Sequence, residues 1–177
     1  MRSDKVRDLT KMAMCVALCC VTAFISFPLP FTPGLVTALT FSLSLTAYLL
    51  TPRQTFTVIA IYILMGAVGL PVFAGGEGLS RLMGPAGGFY FGWLVAYPIV
   101  SKVKGKEINF KRYMLANILV AMPITYVGGL ASMIRVLDVD LMQALTMAVL
   151  PFIPGDILKA TAAAMVGVKL QKVLGGR

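Results

Sequence analysis

Two charged residues sit where a membrane-embedded chain should not hold them. Pro151-Phe-Ile-Pro-Gly-Asp156-Ile-Leu-Lys159 opens a stretch that stays apolar or small through Val168. A charge at mid-bilayer costs at least about 2.5–3.5 kcal/mol, so such residues face a cavity or a partner and mark function. Asp156 and Lys159 are three apart, which on a helix places them on one face. They can touch each other, or together hold one small polar molecule. The plainer reading is also open: an aspartate in the first turn is favoured by the helix dipole and could cap the helix, tied to a nearby lysine.

The elements that position this pair follow from composition. The chain has 177 residues, 58% hydrophobic and 13% charged, with a mean hydropathy of +0.86. Soluble domains carry about 25% charged residues. Apolar runs of about 17–25 residues suit membrane-crossing helices. Six such segments are predicted, at roughly 9–27, 35–50, 54–70, 86–100, 112–134 and 154–173. The expected fold class is an all-α membrane protein, a single integral membrane domain over residues 1–177.

Charge distribution fixes orientation. Thirteen of the sixteen basic residues fall at or before the start of the first segment, between the second and third, between the fourth and the start of the fifth, or at the C-terminal end from Lys169 on. Only Arg81, Arg135 and Lys159 do not. This positive-inside pattern predicts six spans with both termini cytoplasmic, because an odd number would misplace the C-terminal lysines. It also explains the net charge of +9 without nucleic acid. The first segment lacks a small-x-small cleavage site, so it reads as a retained span and not a signal peptide.

Several chemistries lack their residues. The chain has no histidine, which removes the usual catalytic triads and HExxH zinc sites. No GxxxxGK[ST] loop exists, so no ATPase is visible. Cys15, Cys19 and Cys20 share one segment and read as small helix filler with no metal role. Of the seven acidic residues, only Asp156 is expected at membrane depth, which supplies proton-coupled transport poorly.

The connection from Gly69 to Tyr90 is long and carries Gly69, Gly75, Gly76, Gly78, Gly84, Gly87 and Gly88 among Phe73, Arg81, Phe89 and Tyr90. Glycine admits turns closed to other residues and lets backbone approach a ligand. An ordered lid or re-entrant segment facing Asp156 is expected. Asp140 is placed to cap a short helix, Leu141–Leu150, too short to span. Ala13 and Ala17, Ala160 and Ala164, and Ala163 and Gly167 are small-xxx-small pairs that let helices approach closely. For Ala13 and Ala17 both internal packing and docking of a partner protein are open.

Taken together, Pro71-Val-Phe73, the glycine run, Gly84-Pro-Ala-Gly-Gly88 and Pro151-Phe-x-Pro-Gly-Asp156-x-x-Lys159 resemble the BioY family along the whole chain. That family supplies the substrate-binding S component of energy-coupling-factor (ECF) biotin transporters. The resemblance implies a six-helix S-component bundle with extracellular lid loops in a bacterial or archaeal plasma membrane. It implies no enzyme activity and no cofactor, with biotin bound as transported ligand. Asp156 and Lys159 would hold the ureido ring. Phe73, Phe89, Tyr90, Gly87 and Phe31 would line the site, with Arg81 a candidate for the carboxylate. Ala13 and Ala17 match the AxxxA pattern by which S components dock on the shared T component, which works with two ATPase subunits. The family pattern carries Thr and Tyr where this chain has Ala86 and Phe89. Three alternatives are an S component for another vitamin, a stand-alone secondary transporter of a small carboxylate, and a small membrane enzyme using Asp156 with Lys159.

Overall fold

A computed structural model describes residues 2–28, 30 and 35–175. Phe31 and Pro33 lie outside the described residues. Helix boundaries fall where local chemistry sets them. Helix α1 (Arg2–Phe24) gives way to a short hairpin, β1 (Ser26–Pro28) antiparallel to β2 (Leu35–Thr37), with Phe27 opposite Val36. Helix α2 (Leu39–Leu49) follows. The expected second span is therefore shorter than its apolar run, because Leu35–Thr37 pairs as a strand. Helix α3 (Pro52–Ala67) starts at a capping box: Thr51 accepts from the Gln54 N–H, Gln54 caps back, and Pro52 occupies a first-turn position where its missing N–H does no harm.

The long third connection is ordered. Gly69, Gly75, Gly76 and Gly78 all take positive φ, and a short helix, α4 (Gly78–Met83), forms within it. Helix α5 (Gly87–Val103) leads to α6 (Phe110–Ala116), capped by Asn109. A π-helical turn, Asn117–Ala121, joins α6 directly to α7 (Met122–Leu137). Pro123 stands just after this turn; it has no N–H to give the ladder and its ring crowds the preceding turn. Asp138 ends α7 in a left-handed conformation. Asp140 caps α8 (Leu141–Ala148) at 2.7 Å, as its position predicts. Helix α9 (Ile153–Gly175) completes the chain.

The rod Phe110–Leu137, 28 residues at a mean hydropathy of 1.7, is long and apolar enough by itself to cross a membrane. Leu141–Ala148 and Ile153–Leu174, bent by 45°, qualify together. The 23-residue α1 is charged over its first turns, and α2 has only 11 residues. Large apolar side chains cover the outside of the bundle: Leu64, Phe91, Leu119 and Leu158 are each more than half exposed. Outward leucine and phenylalanine on several helices suit a hydrocarbon surround.

Inside, α5 and α7 make the most extensive packing, followed by α2 with α9 and α3 with α5. Glycines allow the first. A Cβ on Gly88 would lie 1.9 Å from the Gly128 carbonyl oxygen, and one on Gly128 would lie 2.4 Å from that of Gly88. In α9, Ala160, Ala163 and Ala164 are buried and Gly167 lies against the Tyr48 ring, so these small residues serve internal packing. Ala13 and Ala17 are instead exposed on α1.

The basic segments gather at one end, where the start of α1, the α2–α3 turn and the end of α5 meet around Asp8, Lys11, Gln54, Lys102 and Lys106. Lys104 departs from the rest of that cluster. It is buried, and its ammonium donates to the carbonyls of Ala47 (2.7 Å), Leu50 (2.8 Å) and Tyr48. These are terminal carbonyls of α2 that helix geometry leaves open, and a cation suits that end of the dipole.

Candidate functional site

The opposite end of the bundle holds a cavity with about 630 Å³ of atom-free space, part of it continuous with the outside. Its walls come from β2 and the start of α2, the third connection, α5, α7 and the start of α9. Leu35 of the hairpin lies against Gly75 of the third connection, where a Cβ would meet it at 2.7 Å, so the two loops meet over this end.

Asp156 and Lys159 are on the wall. Lys159 Nζ lies 2.6 Å from Asp156 Oδ1, with the side chains 19% and 13% exposed. The other carboxylate oxygen accepts a bond from the Tyr126 hydroxyl at 2.7 Å. Lys159 also donates to the Thr37 carbonyl at 3.1 Å, which ties α9 to the hairpin. The aspartate stands in the first turn of α9 and is tied to Lys159, as the plainer reading has it, and its other oxygen goes to a tyrosine across the cavity. The resulting carboxylate–ammonium pair presents one acceptor-rich and one donor-rich group side by side in a mostly apolar hollow. Such a pair matches a neutral planar group that offers N–H and C=O together.

The remaining wall is aromatic. Phe89, Tyr90 and Trp93 follow one another on the inward face of α5, with Tyr90 and Trp93 ring centroids 4.7 Å apart. Arg81 projects from α4 into the same space and interacts with the Tyr90 hydroxyl. Five buried polar side-chain atoms lack a hydrogen-bond partner among the described residues, and four of them are on cavity-lining residues: Thr40 Oγ1, Arg81 Nε, Trp93 Nε1 and Thr125 Oγ1. Each such group left unpaired costs about 1–3 kcal/mol. Together they put donors and acceptors for a polar ligand on one cavity.

Of the residues singled out from the sequence, Asp156, Lys159, Arg81, Phe89 and Tyr90 line the cavity. Phe73 does not. Its ring lies behind the wall, 4.6 Å from the Tyr90 ring centroid and directly over Gly66. Gly87 also stays off the wall; it packs so close that a Cβ would fall 1.8 Å from the Leu82 carbonyl oxygen. Both support the wall from behind. Thr37, Thr40, Trp93, Thr125, Tyr126 and Phe152 line it without having been singled out. Trp93 carried a readable signal, since it stands three residues after Tyr90 and four after Phe89 on one helical face. Thr125 and Tyr126 were visible only as polar side chains within a predicted span.

The sequence profile of the BioY family matches residues 1–176. The chain is 32% identical to a biotin transporter BioY of Thermotoga maritima, covering 95% of this chain and 98% of that one. It is 33% identical to a probable biotin transporter BioY of Pyrococcus horikoshii, over 94% and 98%, and 32% identical to biotin transporter BioY2 of Lactococcus lactis, over 98% and 95%. In three dimensions it superposes on the crystal structure of an S-component for biotin from an ECF-type ABC transporter with a TM-score of 0.89, at 23% identity, covering 97% of this chain and 94% of that one. The fold is that of this S-component, and with profile and relatives agreeing over nearly every residue, the chain belongs to the BioY family.

Proposed function

We propose that this protein is the biotin-binding S component of an ECF-type ABC transporter, a multi-pass plasma-membrane subunit with six spans and both termini cytoplasmic. The observation that carries this reading is the Asp156–Lys159 pair, set with Tyr126 into an aromatic cavity at the end of the bundle away from the basic residues. Biotin combines a ureido ring, an apolar bicycle and a carboxylate tail. The Asp156 carboxylate accepts the ureido N–H groups, and Lys159 donates to the ureido oxygen while holding the aspartate in place. Phe89, Tyr90 and Trp93 cover the bicycle, and Arg81 takes the carboxylate. Phe73 and Gly87 contribute by fixing the wall that Tyr90 and α4 present.

The protein then binds and does not transform its ligand. Energy comes from elsewhere, because the chain has no phosphate-binding loop: a transmembrane T component and two ATPase subunits. The exposed pair Ala13 and Ala17 on α1 offers the T component a flat, close-approach surface.

Calorimetric titration of the detergent-purified chain with biotin, using riboflavin and thiamine as controls, tests the assignment. One-to-one binding of biotin alone is expected. Asp156→Asn and Lys159→Met should each weaken it by well over tenfold, since truncating a buried hot spot costs about 2 kcal/mol or more. Undiminished affinity in both variants would remove the pair from the site.

A further inference from the structure

Beneath the ion pair lies a second, smaller cavity with about 320 Å³ of atom-free space, some of it continuous with its surroundings. It is bounded by Ser44 of α2, Tyr97 of α5, Asn117 and Ala121 of the π turn, and Ala160 of α9. Thr40, Thr125, Tyr126, Asp156 and Lys159 belong to both cavities. Those five residues are therefore the partition between an upper chamber, which receives the ligand, and a lower one nearer the middle of the bundle.

The lower chamber is built from polar groups. Ser44 Oγ lies 2.7 Å from the Thr40 carbonyl and 3.2 Å from Asn117 Oδ1, and its one proton serves either acceptor. Asn117 Nδ2 donates in turn to the Tyr48 hydroxyl, and the Tyr97 hydroxyl lies 3.5 Å from the Thr40 carbonyl. Asn117 begins the π turn, where widened backbone spacing redirects a side chain that an α-helix would aim elsewhere. Thr125 is only 7% exposed, and its hydroxyl has no partner among the described residues; the hydroxyl oxygen of the half-buried Thr40 also lacks one.

Charge decides what can occupy such a space. A cation meets the Lys159 ammonium in the partition, and an anion meets the Asp156 carboxylate. A neutral molecule that both donates and accepts is free of either penalty. An ordered water needs a space of its own size with two to four polar partners, and Thr40, Thr125, Ser44, Asn117 and Tyr97 supply them.

We propose that the lower chamber is a binding site for ordered water, which bridges Thr40 and Thr125 to the Asn117 rim and hydrates the inner side of the Asp156–Lys159 pair. A buried ion pair is costly when dry, and water on its inner side keeps it charged at depth. The ligand cavity then has a hydrogen-bonding floor, and bridging water holds a ligand nearly as well as a direct bond. Its role toward biotin rests on the function proposed above; the water site itself does not.

The test uses the full chain without biotin. Ligand-free crystals diffracting to about 2 Å should show density within about 2.7–3.2 Å of Thr125 Oγ1 and of a second polar group of the chamber. Thr125→Val keeps the shape and removes only the hydroxyl. It should lower the melting temperature by about 2–4 °C, because it strips a partner from the water. A chamber without density overturns the proposal. So does a Thr125→Val melting temperature that is unchanged or raised, the result for deleting an orphaned hydroxyl from a dry space. A melting temperature that rises with sodium chloride and not with choline chloride would make the occupant a cation and overturn it too. Failure of biotin binding leaves all three readouts intact, so the two ideas fail separately.

Discussion

At the scale of single residues, the site depends on who holds Asp156. Its two oxygens are held by Lys159 at 2.6 Å and Tyr126 at 2.7 Å. Tyr126→Phe retains the ring and removes one charge-assisted bond, a contribution of about 1.5–3 kcal/mol. Biotin affinity measured by calorimetry should fall about tenfold or more, while far-UV circular dichroism stays that of the parent. Asp156, Lys159 and Arg81 were legible in the sequence because a charge among apolar residues is conspicuous. Thr40 and Thr125 were not, because a threonine within a span reads the same whether it faces lipid or cavity. Phe73 was legible as important and misplaced by one layer: its neighbours in sequence surround the site, but the ring turns inward over Gly66.

At the scale of elements, two contacts set the frame. The first is the glycine crossing of α5 and α7. Both helices contribute cavity wall, Phe89, Tyr90 and Trp93 from one and Thr125 and Tyr126 from the other, so their separation sets its width. Gly128→Leu has no room beside Gly88, and overpacking of this kind costs about 1–3 kcal/mol. Its melting temperature should drop by several degrees and biotin binding should be lost, whereas substitution of the exposed neighbour Val127 to Leu should change neither. The second contact is the ammonium of Lys104 at the end of α2. Lys104→Met removes three charge-assisted bonds from the end of a short helix and leaves the Ala47 carbonyl without its side-chain donor, while Gln171 still donates to Tyr48 and Ser101 to Leu50. Thermal unfolding in detergent should fall by about 4–8 °C, the shift for roughly 2 kcal/mol in a chain this long. Element positions were readable from apolar runs and from Asp140. The hairpin was not, since Leu35–Thr37 continues an apolar run whose length suggested more helix. The role of Lys104 was hidden for a related reason: it reads as one more lysine in a cytoplasmic loop.

At the scale of the whole molecule, the two ends divide the work. The cavity, the hairpin and the third connection share one end, and the start of α1, the α2–α3 turn and the end of α5, with their lysines, share the other. Ala13 and Ala17 lie on the exposed side of α1, well away from the cavity lining. Replacing both with Leu should leave biotin affinity within about twofold, since surface changes distant from a site are near neutral. Biotin uptake by cells carrying the complete transporter should fall severely. Uptake at the parental rate would assign docking to another face. The overall architecture was the most legible level, because hydropathy and lysine placement report on the bilayer directly and require no knowledge of which helix touches which.

The π turn at Asn117–Ala121 also makes the rod from Phe110 to Leu137 a counting device. An α-helix advances about 100° per residue. The π turn already absorbs one residue more than an α turn holds, so removing a residue from the α-helical part of the rod with that turn kept would swing everything after it by that angle. The hydroxyl of Tyr126 would leave Asp156, and Gly128 would no longer face Gly88, although no side chain in the site had been altered. The number of residues between the Asn109 cap and Gly128 is thus under as tight a constraint as their identity. A relative that gains or loses one there must restore the count within the same rod.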